Sequence, residues 1–575
     1  MRSAAATMPD PRSRPLQAES SSLRAPTSLL YVFALVIPLT YFCMLGAFAL
    51  AEPDEPRYAE IPREMIESGD WVTPRLNYVK YFEKPPLVYW LTAVDFELFG
   101  MSECVARLWP ALFAVVGIGA ACVLGRSMFG PWTGYAAAAL LAATPLYFGL
   151  SQIFILDMPL TGLMTVALGA FWFAYADARR RTPYVWLLYA ATALAVLTKG
   201  PVAPLLIGAI IVAFLLLQGN LRALGWVLNP AGILIFLIIA VPWFVLVSRR
   251  NPEFIDFFVI KQHVDRFLKP DEHQQPLLFF VPIVIGGMLP WTLFALFAPR
   301  LLARFVVRLV QRRVSAATLY CILWGGVIFA FFSLSGSKLA TYILPVFCPL
   351  AILAARFFER VIARRRTDIL RRGAWAILVF AVVTILGAAM TREVVDAWQV
   401  EVVLPALYMG GLLLAGVAVA ALALLRRRGP QACFATLLLG MLGLQVVAIS
   451  GRGVAAEYRP LGRAIRAQAG PHDDVITYVH YVQAIPFYGR RRTIMVGGWG
   501  ELDFGSRQGD ERAFFWEKDA QLLAAWRAPG RRIFLIINRV ELEPLLPQLQ
   551  PAPRQIAAYG KKVLVVNFTP DEHAS

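Results

Sequence analysis

The sequence predicts an α-helical polytopic membrane protein carrying a small α/β domain at its carboxyl end. Three observations carry that reading: recurrent long apolar runs, loops whose charge alternates from one run to the next, and a change of texture near residue 450. Of 575 residues, 58% are hydrophobic and 16% charged, where an ordinary soluble domain has about 25% charged. Fibrous, disordered and small secreted classes are excluded on that composition. The net charge of +17 points to a membrane surface rather than to nucleic acid. Most of the arginine clusters sit between apolar runs, and no basic, aromatic-interleaved soluble domain accompanies them.

Residues 1–28 read as a cytoplasmic amino-terminal segment. The run from Leu29 to Ala51 ends in Ala-Phe-Ala-Leu-Ala, which looks like a signal-peptidase site. It exceeds the ~7–15 residues of a signal core, so an uncleaved helix is expected. Further apolar windows lie near 103–124, 132–149, 151–170, 184–197, 201–217, 229–248, 277–298, 315–334, 339–355, 373–390, 403–425 and 432–449, for about thirteen spans in all. Arg126, Arg179 to Arg181, Arg222, Arg300 to Arg313, Arg356 to Arg372 and Arg426 to Arg428 all fall on one side. By the positive-inside rule that side is cytoplasmic. The loop 52–102 and the segment 450–575 then face the exterior, and 29–449 is the membrane domain. In the carboxyl segment, β-type runs (Val475 to Tyr481, Thr493 to Val496, Ile533 to Ile537, Val563 to Phe568) alternate with helical stretches at Pro460 to Ala469 and Ala520 to Arg527. The six cysteines match no zinc or redox spacing, and no disulfide is expected. No internal repeat supports a transporter of inverted-repeat type.

The first exterior loop is dense in charge. Asp54-Glu55-Pro56-Arg57-Tyr58-Ala59-Glu60 has the grammar of a helix start. Asp54 either caps free backbone N–H groups or points into a cavity as a base or electrostatic stabiliser beside Arg57 and Tyr58, and the two roles are compatible. Lysine and arginine are disfavoured on short translocated loops, so Lys84, Lys199, Lys261, Arg266, Lys269 and Lys338 call for another cause. An anion would supply one, with Tyr342 a helical turn beyond Lys338 adding a hydroxyl donor. Taken singly, Lys199 also reads as a helix-terminal cation before a glycine cap, and Lys338 as part of a tight Ser-Gly-Ser turn. Asp157 begins an apolar helix, where an unpaired carboxylate is costly, or else caps the helix that Pro159 begins. Glu83 and His263 form a candidate pair for a divalent cation; surface solvation is the alternative for the histidine. No Walker loop, dinucleotide fingerprint or zinc-peptidase motif occurs. An enzyme working on this face would use a preactivated donor dissolved in the bilayer, with a phosphate leaving group.

Three further stretches complete a pattern: Ser68-Gly69-Asp70-Trp71-Val72-Thr73-Pro74, Phe82-Glu83-Lys84-Pro85-Pro86, and Thr198-Lys199-Gly200-Pro201 with Ser335 to Pro345. With the helix start at Asp54, they resemble the bacterial 4-amino-4-deoxy-L-arabinose transferases, within the protein O-mannosyltransferase-like superfamily of C-type glycosyltransferases. The resemblance covers the first ten spans. It implies the C-type fold and an inverting inner-membrane enzyme that moves aminoarabinose from undecaprenyl phosphate to lipid A phosphates, giving polymyxin resistance. It further implies a catalytic carboxylate at Asp54, with Glu55 the neighbouring alternative and Asp157 a second acidic residue. Arg57, Tyr58, Tyr81, Lys84, Lys199, Arg266, Lys338 and Tyr342 are the expected contacts to lipid phosphate and sugar. No cofactor is expected, apart from a divalent ion at Glu83 and His263, and the chain is expected to act as a monomer. The rival readings are another polyprenyl-phosphate glycosyltransferase, such as one acting on protein hydroxyls, and a lipid-linked sugar flippase.

Overall fold

The computed structural model describes residues 23, 27–265, 274–394, 397–450, 458–509 and 511–569, with the side chains of 27–32, 263–265, 391–394, 397–399, 401–402 and 450 set aside. Eight described helices are long and apolar enough to cross a membrane, and a bent pair makes a ninth. That pair, Pro131–Ala142 and Pro145–Ser151, turns through 62°. The cause is local: Thr144 is extended (φ −88°, ψ 119°), as the residue before a proline prefers, and Pro145 restarts the helix. The window expected at 132–149 is therefore one broken segment, and the next helix runs from Asp157 to Ala176. Four other expected spans fall short of this length and apolarity: Thr27–Phe42, Arg181–Lys199, Val202–Leu217, and the pieces Phe280–Gly287 and Trp291–Leu296. The membrane core gathers around Trp172, Phe171, Tyr320 and Trp324, all buried. The helix Pro230–Arg250 exposes Leu234, Leu237, Ile238 and Val245 on its outer side, as a lipid-facing helix does.

Between Thr27–Phe42 (α1) and the helix Glu103–Phe129 lies the charged loop. Its helix α2 spans Asp54–Ser68 and ends where Gly69 turns left-handed (φ 67°). A two-stranded hairpin follows, β1 (Arg75–Leu76) and β2 (Val79–Lys80), then α3 (Leu87–Phe99). Asn77 and Tyr78 both have positive φ (52° and 65°), which a two-residue turn matched to strand twist requires and asparagine tolerates. Residues Glu55 to Met65 of α2 are buried without a break, although five of these eleven are charged and two are proline.

The carboxyl-terminal domain is a six-stranded mixed sheet in the order β5-β4-β3-β6-β8-β7. Its strands are β3 (Asp474–Tyr478), β4 (Ile494–Val496), β5 (Phe515–Trp516), β6 (Ile533–Asn538), β7 (Arg554–Tyr559) and β8 (Lys562–Val566). β3, β4, β5 and β6 run parallel, and β8 joins β6 antiparallel and carries β7 at the edge. The sheet is docked onto the first loop through side chains. Asn77 Nδ2 donates to the Thr493 carbonyl (2.9 Å), and the Thr493 N–H returns to Asn77 Oδ1 (2.8 Å). Tyr488 donates its shared hydroxyl toward Glu103 (3.2 Å) while accepting from the Leu50 N–H (2.9 Å). A Cβ at Gly505 would lie 2.5 Å from the Lys80 carbonyl oxygen, so only glycine allows that approach of domain to hairpin.

Candidate active site

α2 starts at Asp54 itself, and no side chain caps its first turn. The capping role expected of Asp54 is therefore not the one it plays. Its carboxylate accepts from Arg57 Nη2, one turn along. Arg57 Nη1 pairs with Glu501, a residue of the carboxyl-terminal domain. The arginine side chain is 7% exposed, against 49% for Asp54 and 35% for Glu501. The cation is thus sunk between two carboxylates that each keep an open side. Burial pushes the Glu501 carboxyl up; Arg57 opposes that, and Glu83 and Asp54 reinforce it.

Phenols surround the same corner. The Arg57 guanidinium lies 5.0 Å from the Tyr58 ring centre, and Tyr58 packs 6.1 Å from Tyr89. Tyr81 and Tyr89 are buried, and among the described residues neither hydroxyl has a hydrogen-bond partner; Arg57 Nε is likewise unpartnered among them. Burial raises the pKa of both phenols, with Glu83 and Glu501 adding to that and Arg57 opposing it. These phenols stay protonated, as donors with no acceptor among the described residues. Lys84 donates to the Glu83 carbonyl (3.1 Å) and lies 3.8 Å from its carboxylate.

A second cluster forms where three elements end. Asp157, first residue of its helix and not a cap, accepts from Lys199 Nζ at 2.5 Å. Lys199 closes the helix Arg181–Lys199 before Gly200, as its terminal reading required, and it also sits 4.4 Å over the Tyr342 ring. Lys338 is buried and donates to the Gln275 carbonyl (2.9 Å), beside a bridge from Gln274 to Ser337. The structure thus joins Asp54 with Arg57 and Tyr58, and Asp157 with Lys199 and Tyr342, while Lys84 and Lys338 hold separate anchor points. The two clusters adjoin: the Phe154 ring is 6.3 Å from Tyr58, and Asp157 follows three residues on. Arg266 and the side chain of His263 lie outside the described residues. Among the described residues no group of three or more His, Cys, Asp or Glu is placed to hold a metal ion.

Glu55 behaves differently from its neighbour. It forms a bidentate pair with Arg107 (2.7 and 2.8 Å) and accepts from the backbone N–H of Phe154 (2.7 Å) and Ala51 (2.9 Å). Arg107 directs its remaining donors to the carbonyls of Leu45, Phe48 and Ala49 at 2.7–2.8 Å. Both side chains are about fully buried, at 2% and 1% exposure. With its oxygens so engaged, the Glu55 carboxylate has no open side, and it holds the loop rather than a substrate. Sequence reasoning missed Arg107, Tyr89 and Glu501. An arginine before an apolar run on the translocated side was a usable signal for the first. No local signal marked Glu501, which reaches Arg57 across 444 positions of chain.

Residues 28–258 match the family described as dolichyl-phosphate-mannose-protein mannosyltransferase, and 461–567 match the aminoarabinose transferase C-terminal domain. The undecaprenyl phosphate-alpha-4-amino-4-deoxy-L-arabinose arabinosyl transferase 1 of Proteus mirabilis is 34% identical over 57% of this chain and 59% of its own length. The like-named transferase of Pectobacterium carotovorum is 31% identical over 67% of both. The aligned part of the chain thus spans less than two thirds of the Proteus mirabilis protein. Among solved structures, ArnT from Cupriavidus metallidurans bound to undecaprenyl phosphate matches with a TM-score of 0.85 at 30% identity, covering 95% of this chain and 99% of that one. The oligosaccharyltransferase AglB of Archaeoglobus fulgidus shares the fold alone, at TM-score 0.50 and 14% identity over 95% and 76% of the two chains.

Proposed function

The chain belongs to the undecaprenyl phosphate–aminoarabinose arabinosyl transferases, multi-pass membrane glycosyltransferases of C-type fold, and on that premise we propose that it moves 4-amino-4-deoxy-L-arabinose from undecaprenyl phosphate to the phosphates of lipid A. The observation that supports this is the corner at Asp54: a half-open carboxylate held by a buried arginine, beside phenol and guanidinium donors that no group among the described residues satisfies. Unsatisfied buried donors are costly unless something binds them, and an anionic phosphate is the acceptor such donors suit.

In the transfer, the bond from the anomeric carbon to the donor phosphate breaks, and a bond to a lipid A phosphate oxygen forms on the opposite face. The anomeric configuration inverts. A phosphate monoester has its second pKa near ~6, so the acceptor is largely ionised at neutral pH and gives up no proton. Asp54 therefore orients the acceptor or stabilises positive charge building on the sugar. Arg57, Tyr58, Tyr81 and Lys84, with Lys199, Arg266, Lys338 and Tyr342, hold the departing phosphate. Asp157 keeps the Lys199 ammonium in place. Glu83 and His263 are the pair that would hold a divalent cation. The site lies at the periplasmic face of the inner membrane, the carboxyl-terminal domain on that same side, and the protein works as a monomer whose product confers polymyxin resistance.

The test is Asp54→Asn in cells that lack their own activity, read by mass spectrometry of lipid A. Normal membrane expression with transfer reduced at least ~100-fold is expected for loss of a group acting in the transition state. Undiminished addition of the sugar removes Asp54 from the mechanism.

A further inference from the structure

We infer that the helix Pro299–Val310 lies in the plane of the cytoplasmic leaflet and holds the headgroups of anionic phospholipids through Arg300, Arg304 and Arg308. The inference is independent of the transfer chemistry and concerns the opposite face of the membrane.

The sequence arranges this helix in three stripes. Arg300, Arg304 and Arg308 recur every four residues and so share one side. Leu301, Phe305 and Leu309 form the next stripe, and Leu302, Val306 and Val310 the one after it. Each residue turns the side chain by about 100°, so the third stripe points nearly opposite to the arginines. The structure uses the three sides differently. The middle stripe is half-buried, with Leu301 packed against the membrane core. The arginines are exposed, and so is the outer apolar stripe: Leu302, Val306 and Val310 are 41%, 54% and 77% exposed. An open aliphatic row opposite an arginine row is the pattern of a helix lying at a membrane surface, its apolar side sunk below the headgroups.

The level of the helix agrees. The chain reaches it from the short helix Trp291–Leu296, whose Phe294 fits against Gly373, where a Cβ would lie 2.2 Å from the ring. Gly373 follows Arg371 and Arg372 near the start of the helix Thr367–Val394, on the side that the arginine-bearing loops assign to the cytoplasm. Ala298 breaks the helical path (φ −123°, ψ 41°), and Pro299 opens the new helix there.

Charge selects the occupant. No aspartate or glutamate occurs from residue 273 to residue 358, while Arg312 and Arg313 follow the helix at once. Elsewhere on this side arginines meet carboxylates, as Arg356 meets Glu359 and Arg366 meets Asp368. Among the described residues, none of the five arginines from Arg300 to Arg313 pairs with a carboxylate. A guanidinium fork fits a phosphodiester through two parallel hydrogen bonds. Zwitterionic headgroups carry a compensating ammonium, so a headgroup of net negative charge is the better match.

The experiment places the full-length protein in nanodiscs of phosphatidylcholine, alone or mixed with phosphatidylglycerol, and follows amide hydrogen exchange of residues 299–313. Exchange there is expected to be at least about fivefold slower with phosphatidylglycerol, roughly the factor one arginine contributes at an anionic surface. The amides of Asp54–Ser68, on the other face, should change by less than about twofold. Equal exchange of 299–313 in both discs overturns the inference. In the variant R300Q/R304Q/R308Q the lipid effect should vanish; if it persists, other charges produce it and the stripe is no headgroup site. Should that variant not fold, added salt decides for the wild type: protection that is screened away upholds the inference, and protection that persists overturns it. Slowing that appears only when polyglutamate is added to the discs would assign the arginines to an acidic protein partner and overturn it as well.

Discussion

Asp54 and Glu55 are adjacent in sequence, yet the regions they enter follow opposite rules. Around Glu55, every donor of Arg107 and the glutamate oxygens find partners, and both side chains are shut away from solvent. Around Asp54, the carboxylates of Asp54 and Glu501 keep open sides, while Arg57 Nε and two tyrosine hydroxyls have no partner among the described residues. Saturation is what an ion pair needs to be tolerable in a low-dielectric setting. Its absence one residue away marks groups arranged for something not yet bound. The difference separates structural charge from functional charge more sharply than burial does, since Arg57 and Arg107 are both buried.

The largest effect expected from this contrast is on stability. Arg107→Met strips Glu55 of its buried counter-charge and frees three carbonyls, and a broken buried pair costs about 3–5 kcal/mol. The melting temperature of the purified protein should fall accordingly. A variant that melts like the wild type would show that the saturated pair is not what fixes the loop to the membrane domain.

How much of this contrast could be read from sequence depends on the range of the interactions. The density of charge at 52–102 announced a site, because exterior cations and carboxylates at a membrane surface oppose both hydropathy and topology. Which neighbour was engaged was not visible: Glu55 is saturated by Arg107, 52 positions on, and Arg57, the partner of Asp54, also pairs with Glu501 from another domain. The fold shows the same division. Strands β3, β4, β6 and β8 correspond to continuous apolar runs, whereas the edge strand β7, Arg-Gln-Ile-Ala-Ala-Tyr, is half-exposed and has none. The bend at Thr144–Pro145 was equally hidden, because hydropathy averages across a break that only the backbone angles reveal.

A smaller effect sharpens the other side of the comparison. Tyr81→Phe removes a buried hydroxyl that has no partner among the described residues. Stability should therefore change by no more than about 0.5 kcal/mol, while transfer falls about tenfold through the lost contact to the donor phosphate. The variant's melting curve and its kcat/KM, measured on one preparation, check both halves. Loss of stability together with retained transfer would make Tyr81 a packing residue and blur the distinction between the two regions.

The last effect concerns the seam that brings Glu501 to Arg57. Glu52 accepts from the backbone N–H groups of Ala484 (2.6 Å) and Gln483 (3.3 Å), at the start of the domain helix Ala484–Gly489. Burial nevertheless pushes its carboxyl up from 4.5 to about 7, against the lowering pull of those N–H groups, Lys562 and Arg57. Between those two values the docked form holds a proton that the undocked form has released. Stability from this group is therefore complete below about pH 4.5, declines as the pH rises, and levels off above about 7. The difference in melting temperature between pH 5 and pH 8 should shrink in Glu52→Gln, which stays neutral throughout. An equal difference in variant and wild type would place the pH sensitivity elsewhere and leave the seam, and with it the delivery of Glu501, indifferent to protons.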